Sequence, residues 1–220
     1  MSALKNSRVR EALRQTLDRV YDPTTRTPVP WLLSGDAAMC LQGVNVEPGL
    51  IEFRAMSQYA TGYFAQLMRP YEAGPNTATI VYRMGGNTAP SDIWRSNIHQ
   101  RIVAWSVGGR ATWLGRWFVD GVTVQISYVR SVKADPTARA VVRNHIARVP
   151  FEGLSVPVVP LEFLLAQADL KNNTQLTHRV LHALRARGHN PNTLQSALEC
   201  ISRERASRLS RLLEINLVAG

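Results

Sequence analysis

The sequence predicts an α/β fold, a mixed β-sheet flanked by helices with a helical C-terminal region, on three observations. Residues 31–55, WLLSGDAAMCLQGVNVEPGLIEFRA, run as apolar strand, small-residue turn, short helix, loop and second apolar strand. Residues 111–119 and 122–128 are β-type runs joined by Asp120-Gly121, a pair suited to the positive φ angles of a type I′ hairpin turn. The last third, beyond about residue 160, carries helical periodicity almost throughout.

Taken in order, residues 4–20 place Val9, Ala12, Leu13, Thr16, Leu17 and Val20 at helical spacing, with Lys5, Arg8, Arg10, Arg14 and Arg19 between them. That is an amphipathic helix whose basic face is either solvated or turned to a partner. Residues 22–28, DPTTRTP, break it. The first strand covers 31–33, and Gly35 lets the chain turn tightly into a helix over 37–42, with Asp36 as an ordinary N-cap. A strand over 50–55 follows, then a helix over 57–68 capped by Ser57, then a strand over 77–82. Residues 84–97 form a loop; with Arg83, Trp94, Arg95 and His99 it offers cations and aromatic surface to a base or phosphate. After a strand over 102–107 and the hairpin, 136–147 reads as a helix, 149–151 and 154–159 as short strands, and 161–171 as a helix with Pro160 in its first turn. Helices over 174–187 and 193–213 close the chain, separated by GHNP at 188–191. In the last, Leu194, Leu198, Ile201, Leu209, Leu212 and Leu213 make a buried stripe, and Glu199–Arg203 and Glu204–Arg208 are spaced to pair.

At 220 residues the chain can bury a sizeable core without staples. No apolar run approaches the roughly 20 residues that span a bilayer, and the N-terminus lacks the apolar core of a secretory signal, so a cytoplasmic location and no membrane partner are expected. Cys40 and Cys200 form no metal-ligand spacing and are expected as buried, inert thiols. No metal site is expected. The net charge of +10 and pI near 10.4 favour an anionic partner. The cations are 23 Arg and 3 Lys, a skew that fits either genome composition or bidentate phosphate contact. Arg203, Arg205, Arg208 and Arg211 in the basic C-terminal region are the candidate nucleic-acid contacts; the alternative is a charged exterior helix.

The segment 31–55 resembles the nucleotidyltransferase superfamily, in its minimal and antitoxin-type branch. Members carry a strand, Gly-Ser or Gly-Gly opening a helix, and then a strand bearing Asp-x-Asp, often after a phrase like Val46-Glu47-Pro48. Gly35-Asp36 falls on the Gly-Ser and Leu50-Ile51-Glu52 on the Asp-x-Asp, while Gln125 falls on the third carboxylate of a later strand. The resemblance covers about residues 30–170 and implies three regions: 1–29, an N-terminal helix and linker; 30–170, a nucleotidyltransferase-like domain; and 171–220, a basic helical region. It also implies phosphate binding at Ser34 and Gly35. Active relatives carry a lysine on the helix after the last strand; residues 161–171 offer only Lys171, which is not counted among the site residues.

Two carboxylates two residues apart on a strand share a face and, with a third, hold two Mg²⁺ ions that align a nucleoside triphosphate. Of the three only Glu52 remains, and Asp36 brings a carboxylate to the helix start where phosphate would be cradled. The expectation is a retained fold with transfer activity lost, no cofactor, and a binding or scaffold role for nucleic acid or a protein. Gln125 belongs either to a site or to a plain polar outer face. Two rivals stand beside this reading. One is an active transferase using Glu52 and Asp36, with Glu47 or Asp120 as a further carboxylate, together with Mg²⁺ and a nucleoside triphosphate. The other is an interaction subunit of a toxin-antitoxin type pair.

Overall fold

In a computed structural model, residues 4–21, 30–74, 90, 93–107, 110–130, 135–138 and 140–214 are described. The expected break at 22–28, the strand at 77–82, Arg83 and most of the following loop lie outside them.

The sheet is mixed and, among the described residues, seven-stranded. Its strands are β1 (Trp31–Ser34), β2 (Leu50–Ala55), β3 (Val103–Val107), β4 (Arg110–Val119), β5 (Val122–Arg130), β6 (Ala147–Phe151) and β7 (Leu154–Val158), in spatial order β3-β4-β5-β2-β1-β7-β6. The central pairs β2/β5 and β1/β7 are parallel and the rest antiparallel. The β4–β5 turn has φ of 46° at Asp120 and 77° at Gly121, as a type I′ turn requires.

On the core face of β5, Val122, Val124 and Ile126 are buried, and Trp117 and Val119 of β4 join them. Against this face packs α1 (Ser7–Val20), which buries the six residues its spacing marks: Val9, Ala12, Leu13, Thr16, Leu17 and Val20. Asn6 caps it, accepting from the Arg8 and Val9 N–H groups. Beside it α3 (Gln58–Leu67) is capped by Ser57 through the Ala60 N–H, and its Phe64 meets Trp31, Phe53 and Trp117 at ring-centroid distances of 5.1–5.8 Å.

The helix α2 (Gly35–Leu41) leaves β1 directly, and α4 (Leu161–Leu170) leaves β7 and is almost wholly buried. Then come α5 (Thr174–Arg187), α6 (Pro191–Leu198) and α7 (Arg203–Glu214). One apolar core joins residues from α1 to Leu209 and Leu213 of α7.

Five local expectations are corrected. The N-cap of α2 is Ser34, so Asp36 is the second helical residue. Pro160 is likewise a cap, preceding the first turn of α4. The helix expected over 136–147 is two 3₁₀ segments, Pro136–Ala138 and Ala140–His145, and Ala147 already belongs to β6. The long final helix is split: Pro191 opens α6, and residues 199–202 turn before α7. Its Leu198 and Ile201 still pack on the core, because the turn keeps them on the inner side. Cys40 is buried as expected, whereas Cys200 sits in that turn and is half-buried.

Candidate functional site

Strand register builds the site. Ser34 lies opposite Glu52, Glu52 opposite Gln125, and Gln125 opposite Arg116, so these four residues form one row across β1, β2, β5 and β4. Because side chains alternate along a strand, the row puts all four on one face, and the next row on that face holds Arg54, Ser127 and Leu114.

Across the first row the Gln125 amide nitrogen donates to Glu52 Oε1 at 3.0 Å. The Gln125 carbonyl oxygen accepts from Arg116 Nε and Nη2 at 3.3 and 3.2 Å. The partners fix this orientation: a flipped amide would set oxygen against carboxylate and N–H against guanidinium. The other oxygen of Glu52 leans over Gly35, whose φ is +60°. A β-carbon added there would stand 2.1 Å from Glu52 Oε2. Glycine is therefore needed twice, for its backbone conformation and for the close approach of the carboxylate.

The second row rests on a buried ion pair. Arg54 donates to Ser127 Oγ (2.9 Å), Asp135 Oδ2 (2.9 Å) and Thr137 Oγ1 (3.2 Å), and Gln167 of α4 donates to Asp135 Oδ1 (2.8 Å) and Thr137 Oγ1 (3.1 Å). Burial alone would push the Asp135 carboxyl up. The Arg54 guanidinium outweighs it, together with hydrogen bonds from Thr137 and Gln167 and the charge of Lys171, and holds it below the usual carboxylate range.

Above the two rows lies a cleft of about 590 Å³, lined by Glu52, Arg54, Arg110, Arg116, Asp135 and Lys171 among others. A smaller cavity of about 300 Å³ adjoins it and shares Glu52, Gln167 and Lys171; Gly35 and Asp36 line its other side. Burial raises the Asp36 carboxyl above its usual range, and Lys171 pulls it partly back.

Glu52, Asp36 and Gly35 are thus brought together, while the other acids of the rival set are not. Glu47 lines a separate groove with Lys5 and Arg179, and Asp120 is taken up in the hairpin turn. Trp94 turns inward, 2% exposed, against Val103 and Leu114, and Arg95 lies over the Phe118 ring at 5.4 Å. Of the C-terminal arginines, Arg205 and Arg208 turn to Asp169 of α4, whose side chain is 4% exposed. Arg205 also donates to Asn172 at 2.8 Å. Arg211 donates to the Ser207 carbonyl, and Arg203 lines an apolar groove with Leu194 and Leu198.

Sequence reasoning missed Arg116, Arg54, Asp135 and Gln167. Alternation along β4 puts Arg110, Thr112, Leu114 and Arg116 on the face opposite Trp117, which is visible in the sequence; that this face meets Gln125 depends on register, which is not.

The residues present do not fit a pair of magnesium ions. Leu50 offers no ligand, and the neutral oxygen of Gln125 faces a guanidinium while its N–H groups face Glu52. A dication in this row would meet a cation and amide hydrogens beside a single carboxylate.

Among the described residues no helix is long and apolar enough to cross a membrane. No family model and no curated protein matches the chain. Among solved structures it is similar to a Thermotoga maritima protein provisionally described as a nucleotidyltransferase, at 18% identity and a TM-score of 0.49, over 80% of this chain and 92% of that one.

Proposed function

We propose that this protein is a nucleotidyltransferase-like frame that has lost nucleotidyl transfer and works as a binding protein, with nucleic acid as its partner. One observation carries the reading: the row Ser34–Glu52–Gln125–Arg116, in which the position of a metal-binding carboxylate is filled by an amide that ties Glu52 to a guanidinium. Such a row stabilises one carboxylate and repels a second cation, which is the opposite of what two-ion phosphoryl chemistry needs. The partner follows from charge. The chain carries +10, and among the described residues the cleft above this row sets four cations against two carboxylates.

Two measurements test this. With Mg²⁺, each of the four nucleoside triphosphates and a pool of RNA and protein acceptors, no pyrophosphate is expected above the buffer blank. Fluorescence anisotropy with a labelled single-stranded oligonucleotide is expected to give an affinity that falls linearly in log–log form with salt, as counterions are released. Magnesium-dependent pyrophosphate release that disappears in Glu52→Gln would refute the loss of chemistry, and a salt-independent affinity would refute the partner.

A further inference from the structure

We infer that the cleft over β4, β5 and β2 is a metal-independent site for a terminal phosphate, in which Arg116 and Lys171 supply the positive charge that divalent ions supply elsewhere. The inference rests on the reading above that this row does no metal chemistry.

Three observations converge. The first is charge: Arg54, Arg110, Arg116 and Lys171 line the cleft against Glu52 and Asp135. Asp135 is paired with Arg54, and Glu52 is engaged by Gln125. Counted over these described residues, the lining carries two more positive charges than negative ones, which suits a phosphate monoester, at about −1.5 to −2 at neutral pH, better than a single carboxylate or a phosphodiester. The second is orientation. Gln125 holds the Arg116 guanidinium by two N–H groups, so its direction is set before any ligand arrives. Lys171 reaches the same cleft from the C-terminal end of α4, on a separate element, so a ligand is gripped from both walls. The third is an unmet donor. Arg54 is 8% exposed and lines the cleft, yet among the described residues its Nε–H has no hydrogen-bond partner.

The shape suits a phosphate carried on a larger group. Trp105 and Pro90 line the same cleft, and Trp105 pairs with Thr112, four residues from Arg116 along β4. Four residues of strand span about 14 Å, room for a planar apolar group at the Trp105 end and the phosphate at the Arg116 end. A free nucleotide and the phosphorylated end of a nucleic-acid strand share this chemistry.

The test uses the full chain and isothermal titration calorimetry at low salt. The probes are adenosine monophosphate, a 5′-phosphorylated hexaribonucleotide and the same hexamer with a 5′-hydroxyl, each in excess EDTA and in Mg²⁺. The phosphorylated hexamer, adenosine monophosphate or both should bind at least tenfold more tightly than the 5′-hydroxyl hexamer, with the same Kd in both buffers. Arg116→Gln and, separately, Lys171→Gln should each weaken binding at least fivefold. Lys171 is exposed at a helix end, so its variant keeps the fold even if Arg116→Gln does not. Binding by only one of the two phosphorylated probes identifies the source and supports the site. Equal affinity for both hexamers, unchanged in the variants, would overturn the inference while leaving nucleic-acid binding intact. Binding that requires Mg²⁺ would overturn the inference, and pyrophosphate release beside it would overturn the proposed function as well. Failure of both phosphorylated probes while the 5′-hydroxyl hexamer binds would overturn the inference alone, and failure of all three probes would overturn the nucleic-acid partner with it.

Discussion

The contact between Gly35 and Glu52 can be weighed by a double-mutant cycle. In Gly35→Ala the new methyl must stand where Glu52 Oε2 now lies, 2.1 Å away, and the backbone must hold alanine at φ +60°. The left-handed conformation costs about 1–2 kcal/mol in a non-glycine residue. To clear the methyl the carboxylate must swing away from Gln125, giving up a charge-assisted hydrogen bond of about 1.5–3 kcal/mol. The single variant should therefore lose roughly 2.5–5 kcal/mol in urea unfolding. In a Glu52→Ala background the nearest remaining Glu52 atom is Cβ, at an ordinary 3.4 Å, so only the backbone component should persist. Gly35→Ala should then cost about 1–2 kcal/mol, and the difference between backgrounds is the coupling. Equal costs in the two backgrounds would show that the carboxylate does not rest on Gly35, and the row built on that contact would fail with it.

Asp135→Asn leaves Arg54 buried without its counter-charge and should cost about 3 kcal/mol, near the low end for a broken buried pair because the amide keeps some hydrogen bonds. Since folding depresses the Asp135 carboxyl, the pair's contribution is fully present above the ordinary carboxylate range and fades as pH drops below about 4; the gap between wild type and variant in thermal midpoint should close there, and a constant gap would contradict the assignment. Asp36 has the opposite sign. Its carboxyl is raised by burial, so it opposes folding once pH climbs past the ordinary range, and Asp36→Asn should raise the midpoint at pH 7 but not at pH 3. Asp169→Ala frees Arg205 and Arg208 and should speed amide hydrogen exchange in α7 while leaving β2 and β5 protected; unchanged exchange in α7 would mean that the helix is held by its leucines alone.

Most of the fold was legible because its rules are local. The six buried positions of α1, the span of β2, the bounds of α5, the Ser57 cap and the Asp120-Gly121 hairpin each follow from periodicity or from the φ demands of a few residues. Where local pattern failed, a tertiary choice decided. Residues 136–145 have helical composition, but Asp135 and Thr137 are drawn to Arg54 and Gln167, and Pro136–Ala138 and Ala140–His145 close into 3₁₀ turns instead. Glu204–Arg208 was a sound pairing by spacing, yet Arg208 turns to Asp169, a carboxylate too buried to be left without a partner. The C-terminal arginines show the same limit: spacing gives their helix, and only packing shows that two of them hold it to α4.

The candidate site was half legible for a related reason. Alternation places Gln125 among polar neighbours and Glu52 on the matching face of its own strand, but sequence does not say that residue 52 stands opposite residue 125, or that residue 116 follows on the third strand. Once the register is known, the chemistry changes sign. An amide beside a lone carboxylate would only be a weakened metal site; with a guanidinium behind it, the amide becomes a conductor of positive charge into the row. Gln125→Glu puts this to the test without disturbing the backbone. A second carboxylate beside Glu52 would rebuild the acidic pair that the row lacks, so Mg²⁺ should raise the thermal midpoint of the variant by a few degrees while leaving wild type unmoved. If both proteins answer magnesium alike, Gln125 is not what keeps divalent ions out.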